Sequence, residues 1–143
     1  MSKLKQLIAT ETTAWIDFPE IDGFELHLRY LTREDLTKIR NASLKYKINP
    51  KTRQREETID NNKFLSSYAE RAIIDWKGLK AKHLPKLLPV DISTMKPEEL
   101  IEYTAEDAAQ LLANSPIFDE FLTETMNDFE LFLSEKDETN IKN

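Results

Sequence analysis

The fold is decided by residues 15–31, which read WIDFPEIDGFELHLRYL. Between residues 24 and 30 apolar and polar side chains alternate, as they do in a strand with one buried face. Pro19 and Gly23 bracket the turn before this strand, and Trp15 begins its apolar lead-in. Gly23 is one of only two glycines, so we expect it to adopt a backbone angle that other residues avoid. The stretch therefore predicts an N-terminal β-hairpin.

Helices are predicted for much of the remaining chain, because apolar residues recur there at three- and four-residue steps behind capping residues. The four predicted helices begin at the caps Thr32, Asp60, Thr104 and Ser115 and run to about residues 47, 77, 113 and 133. The segment 48–59 is predicted to be a loop, and 79–103 an irregular apolar segment with one helical turn from Pro97. The second predicted helix carries Trp76 on its apolar face and Lys77 in its last turn, and Gly78 comes just after it, as a helix C-terminus prefers. Structural roles are assigned to Trp15, Pro19, Gly23, Trp76 and Gly78.

The chain length and the predicted elements together indicate one domain, residues 1–143, of the α+β class. The domain is mainly α, with the hairpin packed on about four helices. A chain of 143 residues can bury a core, which we place at about residues 14–133, with flexible termini at 1–12 and 134–143. The chain has no cysteine, which fits a reducing cytosol. It has no apolar run of about 18 residues, so no membrane span is expected.

Charge is divided unevenly along the chain, although the net charge is only −6. Residues 1–96 hold 18 bases and 13 acids, whereas residues 97–135 hold 11 acids and no base. Such a division predicts two surfaces of opposite potential. The two parts either attract each other within the fold or present these potentials to a partner.

The last predicted helix, residues 116–133, carries the main candidate binding surface. Its apolar side chains cover an arc of roughly 140°, wider than the roughly 100° that packing on a core requires. The candidate partner-binding residues on this arc are Phe118, Phe121, Met126, Phe129 and Phe132. One interpretation is an ordinary core-facing stripe. Our hypothesis is that part of the stripe is uncovered and binds an apolar helix or a second copy of the chain.

Residues that could support catalysis or nucleic-acid binding are few. The chain has two histidines, His27 and His83, no cysteine and no glycine-rich phosphate loop. We therefore expect no enzyme, no cofactor and no metal. The bases of residues 45–55 could contact phosphates. Because Glu56 and Glu57 follow at once, we interpret this segment as a solvated loop and expect no nucleic-acid partner.

Several short segments occur in a characteristic order, at residues 15–19, 23–26, 30–36, 73–79, 102–108, 114–116 and 118–121. Together they resemble the tail assembly chaperones of long-tailed, siphovirus-type bacteriophages and prophages. The run Trp76-Lys77-Gly78-Leu79 resembles a signature of that family. The resemblance covers about residues 14–133, and residues 93–100 depart from the pattern as an insertion would.

The resemblance implies a non-enzymatic assembly factor. Proteins of this family bind the hydrophobic tape measure protein and recruit major tail subunits around it. They act in the host bacterial cytoplasm and are absent from the mature virion. The family supplies no catalytic residues and no fixed partner-binding motif to carry over. Two other functions stay open at this point, namely a stable tail-completion or neck protein and a small nucleic-acid-binding regulator.

Overall fold

A computed structural model describes residues 2–7 and 12–133 of the chain. Within the predicted flexible N-terminus it contains a short helix, α1 (Lys3–Leu7), with no buried residue. Residues 8–11 and the predicted flexible C-terminus, 134–143, lie outside the described residues. The chain combines helices with two small antiparallel sheets, which confirms the mixed class predicted from the sequence.

The larger sheet contains the N-terminal hairpin and one further strand. Strands β1 (Thr13–Asp17) and β2 (Glu25–Arg29) pair antiparallel, with Ala14 opposite Leu28. Strand β5 (Ile73–Lys77) pairs antiparallel with the other edge of β2, so the strand order is β1-β2-β5. The expectation of a hairpin on about four helices is therefore matched only loosely, since the hairpin is part of a three-stranded sheet.

The second predicted helix is wrong in its last part. Helix α3 (Asn61–Ala72) ends before β5, and Trp76 and Gly78 belong to that strand and the turn after it. Helical apolar spacing continues through residue 76, but Ile73 and Ile74 are β-branched and favour a strand. The open edge of β2 supplies the backbone partners that make the strand form here.

The first predicted helix and the loop after it are also corrected. Helix α2 (Arg33–Ala42) is followed by strands β3 (Leu44–Ile48) and β4 (Arg55–Ile59), which form a separate two-stranded hairpin. Helix α2 stops because the Ser43 hydroxyl donates a hydrogen bond to the Ile39 carbonyl oxygen, 2.7 Å away, at the first residue beyond the helix. We call residues 44–59 the basic arm.

The remaining elements follow the predicted caps. The side chains of Thr32, Asp60, Thr104 and Ser115 each accept a hydrogen bond from the backbone N–H three residues later, as predicted. A 3-10 turn (Ala81–His83) runs into α4 (Leu84–Leu87), and α5 (Ala105–Asn114) follows. Pro97 begins only a turn, so the predicted helical turn there is wrong.

The last predicted helix is shorter than expected. Helix α6 (Pro116–Met126) ends at Asn127, and residues 130–133 form a separate helical turn. The consecutive Asn127 and Asp128 favour a turn at this point because their side chains compete for backbone hydrogen bonds. The amide N–H of Asp128 already bonds the Thr125 carbonyl, at 3.1 Å.

One apolar core joins the three-stranded sheet to α2, α3, α5, α6 and the last helical turn. Its largest fully buried side chains include Phe18, Phe24, Leu26, Leu28, Ile73, Phe118, Leu122 and Phe132. Helix α3 lies at the centre of the helical layer, where it packs on both α2 and α5. Among the described helices, none has the length and hydropathy that crossing a bilayer requires.

Candidate partner-binding surfaces

The phenylalanine stripe of residues 118–132 is divided between core and surface. Phe118 and Phe132 are fully buried, and Phe118 stacks on Phe18 with 6.2 Å between ring centroids. Phe121 is half-buried and meets the edge of Phe18 at 4.9 Å. Phe129 is 53% exposed. Phe129 lies in the turn that follows α6, whereas Phe132 returns to the core in the helical turn of residues 130–133.

Two exposed residues of the stripe, Phe129 and Leu133, form together with Leu131 a surface that we call the C-terminal patch. All three side chains are more than 40% exposed. Phe129 and Leu133 lie four residues apart, and the Leu133 N–H donates to the Phe129 carbonyl at 3.2 Å, so these two share one side of the turn. Phe129 and Leu133 are therefore the most exposed part of the predicted stripe, while Phe121 and Met126 are half-buried.

A cavity of about 320 Å³ lies near the C-terminal patch. Its lining includes Tyr30, Leu36, Tyr68 and Met126, the last of which is half-buried. Tyr30 links the cavity to the patch, because its ring lies 6.4 Å from that of Phe129. The cavity and the patch together give this end of the molecule a concave surface of mixed polarity, because Arg33, Thr123 and Asn127 also line the cavity.

A second apolar concavity was not predicted from the sequence. It has a volume of about 330 Å³, and we call it the apolar groove. Its lining comprises Trp76, Leu79, Leu84, Leu88, Val90, Ile101, Asp107, Gln110 and Leu111. A sequence signal was present in the run Leu87-Leu88-Pro89-Val90, which is too apolar for an exposed connection. The groove itself arises only where this run approaches α5.

Trp76 forms the base of the apolar groove. Its side chain is only 5% exposed, and its indole N–H donates to the Ile101 carbonyl at 2.8 Å. Its ring meets the edges of Phe24 and Tyr103 at 6.1 and 5.3 Å. The Tyr103 hydroxyl in turn donates to the Ile73 carbonyl at 2.8 Å. These contacts tie the segment that follows Leu100 to strand β5 and hold the groove open beside it.

The residues assigned structural roles lie in turns and on the three-stranded sheet. Gly23 has φ +85° and Gly78 has φ +82°, both in the left-handed region. Pro19 lies in the exposed turn after β1. Trp15 stacks on His27 at 4.8 Å, and the Lys77 ammonium lies 4.6 Å from its ring centroid. His27 therefore has a structural role, because its ring stacks on Trp15 on the outer face of the sheet.

Charged groups gather near a third cavity, of about 520 Å³, which is lined in part by Lys80, Lys82, His83 and Lys86. The ammonium groups of Lys80 and Lys82 each lie 2.6 Å from a Glu98 carboxylate oxygen. Their hydrogen bonds lower the pKa of Glu98 to about 2. Glu98 therefore offsets part of the positive charge of these lysines, and the acids Glu20 and Asp22 line the same cavity.

His83 has a structural explanation as well. Its Nδ1 atom accepts the backbone N–H of Lys80 at 3.1 Å. Burial, and after it the charges of Lys82, Lys86 and Lys80, lower the pKa of His83. The imidazole is thus held neutral as a backbone acceptor. Within residues 2–7 and 12–133, no group of three or more His, Cys, Asp or Glu side chains is arranged to hold a metal ion.

No known protein family, curated protein or solved structure matches this chain. The resemblance to tail assembly chaperones therefore rests on the sequence segments given above. Two of those segments meet in space, because Gly78 lies against the backbone of Gly23 and Phe24. That contact explains why a glycine occurs in the Trp-Lys-Gly-Leu run, since a side chain at position 78 would overlap the Gly23 backbone. The apolar groove, in contrast, is the feature of this region that offers a binding surface.

Proposed function

We propose that this protein is a tail assembly chaperone of a long-tailed bacteriophage or prophage. In this proposal it binds an apolar helix of the tape measure protein in the apolar groove and helps to recruit major tail subunits. It works as a binding protein without a catalytic role, in the host bacterial cytoplasm, and leaves before the virion is complete. The observation that carries the proposal is the groove itself, which lies beside the Trp76-Lys77-Gly78-Leu79 run that resembles the family signature.

The shape and lining of the groove support the capture of apolar side chains. Its volume of about 330 Å³ is at the lower end of the roughly 300–1,000 Å³ typical of ligand pockets. That is room for a few side chains projecting from one face of a helix, as in helix-in-groove recognition. Asp107 and Gln110 give the groove a polar edge that could contact the polar margin of such a helix.

The half-open character of the groove supports reversible binding. Val90 is 40% exposed at the rim, whereas Trp76 and Leu79 at the base are buried. Burial of apolar surface stabilises a complex by roughly 25 cal/mol per Å², before the entropy lost on association is subtracted. A small apolar contact of this kind releases its partner when tail subunits compete for the same helix. The acidic residues of 97–133 would keep the complex soluble meanwhile.

Co-purification with the tape measure protein encoded in the same genome tests the proposal. Val90→Asp places a charge at the groove rim, and we expect it to reduce recovery of the complex by at least about tenfold. Ile117→Asp is the matched control, because Ile117 is 42% exposed on α6 and does not line the groove. Equal recovery with both variants would contradict the groove as the capture surface.

Mass spectrometry of purified virions separates this function from a stable tail-completion or neck protein. A chaperone is absent from the particle, whereas a structural component is present in a fixed number of copies. A gel-shift assay with duplex DNA at increasing salt tests the nucleic-acid-binding alternative. We expect no salt-sensitive shift, because Glu56 and Glu57 lie on the same hairpin as the bases of residues 45–55, with Glu56 directly opposite Lys47.

A further inference from the structure

We infer that the apolar groove selects helices whose apolar stripe is bordered by lysine or arginine, and that Asp107 is the residue that makes the selection. The inference rests on the proposed function, because it takes the groove as the site of helix capture. It adds the chemistry of the captured helix, in which a basic side chain lies beside the apolar residues that enter the groove.

Asp107 is the one charged residue in the described lining of the groove. Within residues 2–7 and 12–133 its carboxylate takes part in no hydrogen bond or ion pair. The Thr104 hydroxyl accepts the backbone N–H of Asp107 at 3.0 Å, so the cap of α5 uses the main chain of this residue and not its side chain. The carboxylate is therefore available to a group that enters the groove.

Helix α5 presents Asp107 at the edge of the groove. Asp107, Gln110 and Leu111 are spaced by three and four residues, which places them on one side of the helix. Leu111 is only 4% exposed, whereas Asp107 is exposed. The Gln110 side-chain oxygen already accepts a hydrogen bond from the Asn114 amide at 3.2 Å. Asp107 is thus the strongest acceptor on this side, since hydrogen bonds to a carboxylate are about twice as strong as neutral ones.

The run of residues 84–90 gives the groove an uncharged side. It contributes Leu84, Leu88 and Val90 to the lining. Lys86 of the same run lines the third cavity instead. A captured helix therefore meets apolar side chains from this run and a carboxylate from α5, so only the margin of the helix that faces α5 has to be basic.

Burial of the Asp107 carboxylate beneath a helix makes the groove selective. An apolar side chain over the carboxylate would remove its water and leave the charge without a partner, which is costly. An acidic side chain there would be repelled, whereas lysine or arginine would form an ion pair with it. The surrounding charge acts in the same direction, because residues 97–133 hold ten acids and no base.

The site extends over about one helical turn. Asp107 and Leu111 lie four residues apart, which is about 6 Å along α5. A captured helix of the same pitch places two apolar residues, four positions apart, within this length. The recognised feature is therefore a pair of apolar residues one turn apart with a lysine or arginine beside them.

Two synthetic helical peptides test the inference on the whole protein. Both carry leucine at positions i, i+3, i+4 and i+7, and they differ only at the margin of this stripe, which holds lysine in one peptide and glutamate in the other. Fluorescence anisotropy of the labelled peptides measures their dissociation constants. We expect wild-type protein to bind the lysine peptide at least about threefold more tightly, with a smaller preference at high salt.

A matched pair of variants separates Asp107 from the general negative charge of the chain. Asp107→Asn and Glu106→Gln each remove one acid from the first turn of α5, so both change the net charge and the helix-dipole interaction equally. Only Asp107 lines the groove. We expect Asp107→Asn to weaken binding of the lysine peptide about two- to fivefold and Glu106→Gln to leave it unchanged. Equal weakening by both variants would overturn the inference.

Charge exchange provides a gain of binding as a second readout. Asp107→Lys should bind the glutamate peptide more tightly than wild-type protein does and the lysine peptide more weakly, which reverses the preference. Circular dichroism checks that the variant is folded. If it is not, the comparison of Asp107→Asn with Glu106→Gln decides the question.

The outcomes distinguish this inference from the proposed function. Equal binding of the two peptides by wild-type protein would overturn the charge selection and leave the groove as a capture surface. If neither peptide binds, the matched variants are compared in co-purification with the tape measure protein, and equal recovery would overturn the inference. Wild-type protein that prefers the lysine peptide but recovers no tape measure protein would support the selection and contradict the proposed function.

Discussion

Replacement of Gly78 by alanine tests the contact that joins the hairpin turn to the end of strand β5. An ideal Cβ at position 78 would lie 1.8 Å from the Gly23 carbonyl oxygen and 2.7 Å from its carbonyl carbon. Both atoms belong to the backbone, so no side-chain rotation relieves the overlap. The turn or the strand end must move, although the pairing of Glu25 with Lys77 holds them together.

The expected loss of stability has two parts. A left-handed backbone angle costs alanine about 1–2 kcal/mol relative to glycine. Overpacking against a fixed neighbour adds about 1–3 kcal/mol. Gly78→Ala should therefore lower the free energy of unfolding by about 2–5 kcal/mol, partly offset by the reduced entropy of the unfolded chain.

Gly23→Ala is the matched control. Gly23 has φ +85°, close to the φ +82° of Gly78, but a Cβ added there meets nothing within 4 Å. The backbone penalty and the unfolded-state effect are the same for both substitutions, so they cancel in the comparison. Urea unfolding of both variants followed by tryptophan fluorescence measures the difference, which we expect to be about 1–3 kcal/mol. Equal losses would refute the reasoning that close backbone approach requires glycine at position 78.

Three further predictions concern other parts of the molecule. Trp76→Ala should lower the free energy of unfolding by about 3–5 kcal/mol, because it empties the base of the groove and removes a hydrogen bond to Ile101; urea unfolding measures this. Stability should fall as pH decreases below the ordinary His83 value of 6.5, because the lowered pKa makes the unfolded chain take up the proton first. His83→Asn, which keeps an acceptor but cannot titrate, should flatten that dependence in unfolding curves recorded at several pH values. Phe129→Ser should change the free energy of unfolding little because Phe129 is exposed, whereas Phe118→Ser should lower it by about 3 kcal/mol or more because Phe118 is fully buried. Thermal unfolding of both variants measures the difference.

Each of these predictions has an outcome that would contradict it. A loss below about 1 kcal/mol for Trp76→Ala would mean that the side chain is exposed and available to a partner. If the free energy of unfolding of His83→Asn depends on pH as strongly as that of the wild-type protein, groups other than His83 cause the dependence. The Glu98 carboxylate loses its charge, and with it its contribution to stability, only between its ordinary pKa of 4.5 and its lowered pKa of about 2. The pH range in which Glu98 acts is therefore separate from that of His83. Equal destabilisation by Phe129→Ser and Phe118→Ser would place the whole stripe in the core.

The sequence by itself determined the features that depend on neighbouring residues. The four helix caps could be predicted because each joins a side-chain oxygen to a backbone N–H only three residues later. The alternation of residues 24–30 indicated β2, because strand period and burial are local properties. The opposite charges of the two parts of the chain were evident from composition alone.

Only the tertiary structure decided the features that depend on distant residues. Residues 73–77 carry helical spacing but form a strand, because β2, more than forty residues earlier, leaves an edge to be paired. Gly78 must be glycine because of Gly23, a contact that no local pattern contains. The apolar groove exists because residues 84–90 approach α5, and tertiary packing buries Phe118 and Phe132 while it leaves Phe129 exposed. Backbone pairing and packing across long sequence separations override local propensity wherever they bury more surface and satisfy more hydrogen bonds.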